Sequence, residues 1–343
     1  MSTPREDGCR LLPDWVPHER TWMAWPSNEA IWGPELDEAK LTVAAVATAI
    51  ARFEPVTMLA RPEAIAEASL RCGTGVTVMP MAMDDCWIRD TGPLFLDGGP
   101  KGLAATSFRF NGWGNRRTPY AADQKLAERL LAHQNLPAYV ADLVFEGGSI
   151  ETDGEGTLLV TTPTLLDQRR NPGITMAAAE AALRDWLGIE RVIWLPHGLL
   201  EDEGGGQVEN VARFAAPGIV LTLTAQDAND ANAEGLLANQ AALAEAVDAK
   251  GRHLEVHTLP LVRPRHAPDG RRLAVSHLSY ALTNGGLIMP QFAGPSDATS
   301  RKALAAAFPG REIVEQDALT IALGGGSIHG ITLPQPAAAK AGD

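Results

Sequence analysis

Cysteine is scarce in this chain: Cys9, Cys72 and Cys86 are the only three in 343 residues. Three scattered thiols make neither a disulfide framework nor a zinc-ligand spacing, which fits a reducing compartment. Positive charge is short as well. Lys and Arg number 29 against 42 Asp and Glu, for a formal charge of −13, whereas nucleic-acid and anionic-membrane binders need a positive face. A cationic small molecule suits that balance. No run of 18 apolar residues is present to span a membrane, and the opening MSTPREDGCR lacks the apolar core of a signal peptide. The glycine run near the C-terminus lacks a following Lys-Ser/Thr, and no GxGxxG opens a helix after a strand, so phosphate and dinucleotide loops are excluded. These absences lead to the expectation of a cytoplasmic protein with no nucleic-acid and no membrane partner.

What is present is an ordinary globular composition, 45% apolar and 21% charged, with 33 Gly and 24 Pro. A chain of this length could hold two domains of about 150 residues. No linker rich in Pro, Gly or Ser divides it, so a single domain over 1–343 is expected, frayed after about 336. Amphipathic and Ala-rich stretches predict helices over 36–53, 62–71, 122–133, 175–187, 233–249 and 297–308. Short β-rich runs predict strands over 56–60, 75–79, 138–144, 157–161, 192–195, 219–224, 253–258, 287–289 and 312–314. This alternation means an α/β fold. Polar loops punctuated by glycine recur at 89–93, 146–148, 204–210, 284–286 and 324–330. They read either as a weak fivefold repeat or as five unrelated turns.

Several of these loops concentrate reactive side chains. Residues 84–93 (DDCWIRDTGP) pack Asp84, Asp85, Trp87, Arg89 and Asp90 together. Carboxylates beside an indole face are what a planar guanidinium wants, with hydrogen bonds at its edge and stacking on its face. The plainer alternative is a strand-end turn in which Arg89 pairs with an acid. Trp113, in FNGWG (110–114), is a second aromatic wall or simply a core residue. Glu146 follows an apolar strand and precedes two glycines, where α/β folds place ligand groups. Gln207 and Glu209 alternate on what should be one strand face. His329, near the C-terminus, is either structural or an acid–base group.

In order along the chain, PHERTWMAWP (17–26), DDCWIRDTGP (84–93), FNGWG (110–114), EGGSIETDGEGTLLVT (146–161), VENVARF (208–214) and GGGSIHGITLPQP (324–336) resemble the agmatine deiminase family. That family includes the bacterial, Porphyromonas-type peptidylarginine deiminases. The resemblance implies a five-bladed α/β propeller of ββαβ units around a polar centre. It also implies hydrolysis of a guanidinium carbon–nitrogen bond, in which a Cys thiolate attacks, a His moves protons and carboxylates grip the nitrogens. Asp90 and Glu146 match the gripping acids. Gln207 stands where the family has its catalytic His, Glu209 where it has a second Asp, and Gly205 where another Asp is usual. Gly330 stands in place of the nucleophilic Cys.

Without that thiol the family's covalent step cannot run at this position. The expected reading is a hydrolase of a guanidine, amidine or related cationic small molecule that works without Cys. Glu209 would be the base for a water molecule, with His329 and Gln207 orienting it, and Asp90, Glu146, Trp87, Arg89, Trp113 and Gly330 would shape the pocket. A non-catalytic binding or regulatory protein, or an inactivated agmatine deiminase, is the alternative. Cys86 as a relocated nucleophile competes with its reading as a small buried residue. No cofactor is expected; a divalent metal on Asp90, Glu146, Glu209 and His329 stays open on oxygen-rich ligation grounds. A homo-oligomer is in keeping with the family.

Overall fold

The computed structural model describes residues 2–99 and 102–337. The tail expected to fray after 336 therefore lies, apart from Ala337, outside the described residues. Five larger sheets share one plan. In each, an inner strand pairs antiparallel with a second, and a helix carries the chain over to a third that runs parallel to the second. The units are Leu94–Asp97, Leu103–Arg109 and Ala138–Val144; Ile150–Thr152, Thr157–Thr161 and Arg191–Leu195; Ala212–Ala216, Ile219–Thr224 and Glu255–Pro260; and Ala281–Thr283, Gly286–Gln291 and Glu312–Asp317. The fifth takes its inner strand, Thr332–Pro336, from the C-terminus and pairs it with His18–Ala24, beyond which lie Val56–Ala60 and Val76–Pro80. The fivefold reading of the glycine loops thus prevails over five unrelated turns.

Local chemistry explains the crossovers. Helix Met176–Leu187 starts at Thr175, whose Oγ1 accepts from Ala178 N at 3.2 Å. It stops at Gly188, at φ 65°. A Cβ there would strike the carbonyl of Cys9, so glycine both ends the helix and lets the N-terminal segment pass. Middle strands such as Val56–Ala60 and Thr157–Thr161 are buried along their whole length, as strands covered on both faces must be.

The predicted helices and third strands match these elements to within a few residues. The helix expected over 36–53 ends at Ile50, and that over 233–249 ends at Glu245. Sequence reasoning missed the inner strands. They are short and buried on both faces, so no alternation marks them: Ala281–Thr283 and Ile150–Thr152 expose neither side.

A short helical turn sits just before three of the inner strands, Ile88–Thr91, Gly147–Ser149 and Val208–Asn210, and a non-helical turn over 328–331 sits before a fourth. The repeat therefore delivers Asp90, Glu146, Glu209 and His329 to one axis. The last inner strand closes the ring. Leu333 sits opposite Trp22, and Trp22 Nε1 donates to Gln335 Oε1 at 2.7 Å. Leu333→Ala should cost about 2–5 kcal/mol by cavity formation, read as a lowered denaturation midpoint without loss of secondary structure.

Candidate functional site

A small cavity of about 20 Å3 lies on the axis, room for about one water. Trp87, Asp90, Trp113, Arg117, Glu203, Gln207, Glu209 and the glycines of the 324–330 loop line it. Asp90 is its organising acid: Oδ2 accepts from Trp113 Nε1 at 2.8 Å and Gln207 Nε2 at 3.0 Å, and Oδ1 from Gly148 N at 2.8 Å. A Cβ on Gly148 would lie 2.6 Å from Glu209 Oε2, 2.9 Å from Asp90 Oδ1 and 2.9 Å from Gln207 Nε2. Those three groups converge on one backbone point that has no room for a side chain. The glycine run is needed for a related reason. Trp32 and Trp87 stack at 5.8 Å with both indole N–H groups on Asp85, and side chains at Gly324 and Gly326 would strike them. At Gly330 a Cβ would meet nothing closer than 3.4 Å. The backbone there accepts a side chain, and none is present.

Behind this cavity runs a buried chain of polar groups. Glu209 Oε2 lies 2.5 Å from His329 Nδ1, and His329 Nε2 lies 3.0 Å from Asp14 Oδ2. Arg89 grips Asp14 with two nitrogens, at 3.2 and 3.0 Å, and Arg213 Nη2 adds a third contact at 3.1 Å. Arg213 also holds Glu151 through Nε at 2.6 Å. Asp14, Arg89, Glu151 and His329 line a second cavity of about 50 Å3 on the far side. Burial, and then the charge of Asp90, pushes the Glu209 carboxyl well above its usual range. Burial, with Arg213 and Arg89 nearby, pulls His329 well below its own. For Asp14, burial is outweighed by Arg89, His329 and Arg213, which keep it ionised. These surroundings favour the protonated form of Glu209 and the neutral form of His329 while Asp14 is held as the carboxylate. In that form Nε2–H donates to Asp14 and Nδ1 accepts from Glu209.

The structure brings together Trp87, Asp90, Trp113, Gln207, Glu209 and Gly330 around the first cavity. Three other expected site residues stand apart from it. Arg89 turns away toward Asp14 and donates through Nε to Thr332 O at 3.1 Å; it pairs with an acid, though one 75 residues away. His329 sits one layer behind, against Glu209. Glu146 has both oxygens taken by Arg170 Nε at 2.9 Å, while Arg170 also donates to Gly204 O at 2.6 Å.

Glu209 is expected to be a base, and its surroundings favour the protonated carboxyl. The relocated-nucleophile reading of Cys86 fails: the residue is fully buried, outside the cavity, and burial holds its thiol well above the usual range. The four groups considered as metal ligands do not form a ligand set, because Arg170 fills Glu146 and His329 Nδ1 meets Glu209. Among the described residues no three His, Cys, Asp or Glu side chains are grouped to hold a metal. Among them, too, no helix is long and apolar enough to cross a membrane.

Sequence reasoning missed Asp14, Arg213, Arg170, Arg117 and Glu203. Arg213 had a readable signal, a lone Arg inside the buried strand ARFAA (212–216). The others read as surface charges.

Five ββαβ blades around a buried acidic axis define the α/β-propeller, or pentein, class. Residues 10–336 match the model of the Porphyromonas-type peptidyl-arginine deiminase family, and the chain belongs to that family. It is 40% identical to the agmatine deiminase of Stutzerimonas stutzeri (strain A1501), over 98% of each chain. It is also 40% identical to that of Pseudomonas aeruginosa (strain LESB58), over 99% of each. The solved agmatine deiminase of Enterococcus faecalis superimposes with a TM-score of 0.94 at 30% identity, covering 98% of both chains.

The protonation pattern sets a pH dependence. With Glu209 raised, the unfolded chain loses a proton above about pH 4.3 that the folded chain keeps, so stability falls as pH rises toward the folded pKa. With His329 lowered, stability instead falls as pH drops below about 6.5. Glu209→Gln keeps the donor to Nδ1 and removes the first titration. It should flatten the loss of stability as pH rises above about 4.3 relative to the parent, measured by denaturant unfolding across that rise. Asp14→Asn leaves Arg89 and Arg213 without their shared anion and should cost about 3–5 kcal/mol in the same measurement.

Proposed function

We propose that this chain binds a guanidino or amidino compound between Asp90 and Glu209, which exchanges into the hydrogen bonds Asp90 already makes and so widens a cavity that otherwise has room for about one water, and that it hydrolyses the compound's carbon–nitrogen bond with water. One observation carries this reading: Asp90, Gln207 and Glu209 converge beside Gly330, in a cavity that no thiol reaches. Asp90 and Glu209 offer acceptors to the planar cation, and Trp87 and Trp113 flank it. The carboxylate form of Glu209 takes a proton from water as the water oxygen bonds to the central carbon. The tetrahedral adduct then collapses. Glu209 returns the proton to the departing nitrogen, so a guanidine yields a urea plus an amine or ammonia, and an amidine yields an amide. Gln207 orients rather than titrates, because its amide carries no exchangeable charge at neutral pH.

A specific observation favours a second reading, a binding protein without turnover. Protein donors already occupy these acids: Arg170 fills Glu146, and Gln207 and Trp113 fill one oxygen of Asp90. Incubating a panel of guanidines and amidines in 18O-water separates the two. Hydrolysis puts one labelled oxygen into the urea or amide, and Glu209→Gln should lower that rate by about 100-fold or more. If every compound that raises the melting temperature is recovered unlabelled and intact, the binding reading replaces the hydrolase. A covalent adduct on any of the three cysteines would overturn both.

A further inference from the structure

A base is needed at Glu209, yet its carboxyl is buried 2.5 Å from His329 Nδ1, in surroundings that favour its protonated form. This inference rests on the reading of the front cavity as a guanidinium site and asks where that proton goes. The groups facing the Glu209–His329 pair are Asp90 and Asp202 on the cavity side, and Arg89, Arg213 and Asp14 behind. Asp202 has its own donors, Gly204 N at 2.8 Å, Gln207 N at 2.7 Å and Asn210 Nδ2 at 3.2 Å. Asp90 is satisfied by Trp113, Gln207 and Gly148. Among the described residues, His329 Nδ1, at 2.5 Å, is the one hydrogen-bonding partner set against Glu209. Its other nitrogen is on Asp14, an anion fixed by two guanidinium groups.

We propose that Asp14 is a positioning residue that makes His329 the internal acceptor of the Glu209 proton when a cation enters the front cavity. Asp14 locks Nε2 as the protonated nitrogen, so Nδ1 faces Glu209 with its lone pair free. A guanidinium arriving at Asp90 favours the anionic form of Glu209, and the proton crosses the 2.5 Å contact to Nδ1. The O–H bond of Glu209 breaks and an N–H bond on His329 forms. The new imidazolium is flanked by the Asp14 carboxylate on one side and the Glu209 carboxylate on the other. No proton leaves the protein, and the cation meets a carboxylate that was not exposed as a charge beforehand. The Arg89 and Arg213 side chains, which would repel an imidazolium, are the same groups that pin the anion supporting it. The axis thus stores one proton and releases it to no solvent.

The test uses the full chain, with guanidinium chloride at millimolar concentration and butylguanidine as probes. Calorimetry in two buffers of different ionisation enthalpy counts protons exchanged on binding at pH 7. Nitrogen NMR of the histidine rings, with His329 assigned by its loss in His329→Gln, reads its charge. The expected result is no net proton exchange, with His329 converted from its neutral Nε2–H form to imidazolium. Glu209→Gln should leave His329 neutral in the presence of probe and weaken binding by roughly 10- to 100-fold. Asp14→Asn should weaken binding by roughly tenfold and release close to one proton, because the imidazole no longer holds it.

Should Asp14→Asn fail to fold, the parent and Glu209→Gln measurements decide the matter without it. A parent protein that binds the probe with His329 still neutral overturns the relay and leaves the guanidinium site standing. So does one that takes up a proton from solvent as His329 becomes charged. If neither probe perturbs Trp87, Trp113 or His329 at any concentration short of denaturation, the guanidinium site itself is wrong and the relay falls with it.

Discussion

The carboxylate of Asp14 holds the molecule's centre together. Arg89 comes from the turn ahead of one blade, Arg213 from the inner strand of another, and His329 from the loop that closes the ring, and all three meet on this one side chain. Two buried guanidinium groups in a low-dielectric interior would be very costly without an anion between them. With Asp14 and Glu151 present, the charges balance, and the remaining donors go to carbonyls: Thr332 O for Arg89, and Leu278 O and Tyr280 O for Arg213. Because each partner sits on a different blade, the pairing fixes how the blades meet. The lining of the front cavity follows from it. His329 is oriented by Asp14, Glu209 by His329, and the cavity wall by Glu209.

The family's fold here encloses a small, acid-lined cavity. Gly330 carries no side chain in a backbone that has room for one, and Gln207 donates to Asp90 at 3.0 Å. Trp87, stacked on Trp32, and the glycine loop lying on them form one wall of the cavity, and the Arg170–Glu146 pair stands apart from it. A site whose acids are already hydrogen-bonded to protein donors is preorganised in shape. A ligand must exchange into those bonds, so its affinity depends on the difference between its own contacts and those it displaces.

Most of the outer architecture was legible in the chain, and most of the inner was not. Helices and the strands that follow them carry amphipathic or β-branched patterns tens of residues from the axis, and those were found. Inner strands such as Ile150–Thr152 are three residues long and buried on both faces, which erases periodicity. Among the site residues, those embedded in dense motifs were recognisable: Asp90 beside Trp87, and Glu209 two residues after Gln207. Asp14 was not, because one acid between Pro13 and Trp15 carries no local mark of the partners it meets 75, 199 and 315 residues later. Arg89 and Glu146 were recognised as functional types, but their directions are set by Asp14 and Arg170, contacts that no local pattern encodes.

The strand that completes the ring is also the last part of it to be made. Residues 18–80 supply three strands of the first blade, and its inner strand arrives only at 332–336. Throughout synthesis that blade presents an open hydrogen-bonding edge along His18–Ala24, with Trp22 and Met23 beside it, the kind of edge that other chains can pair with. Asp14 and Arg89 can meet early, but the imidazole that completes their cluster emerges three residues before the closing strand. Propeller closure and completion of the polar axis are therefore one event in time. A nascent chain passes from a sticky, uncapped sheet to a finished centre with the turn at 328–331 and the strand Thr332–Pro336.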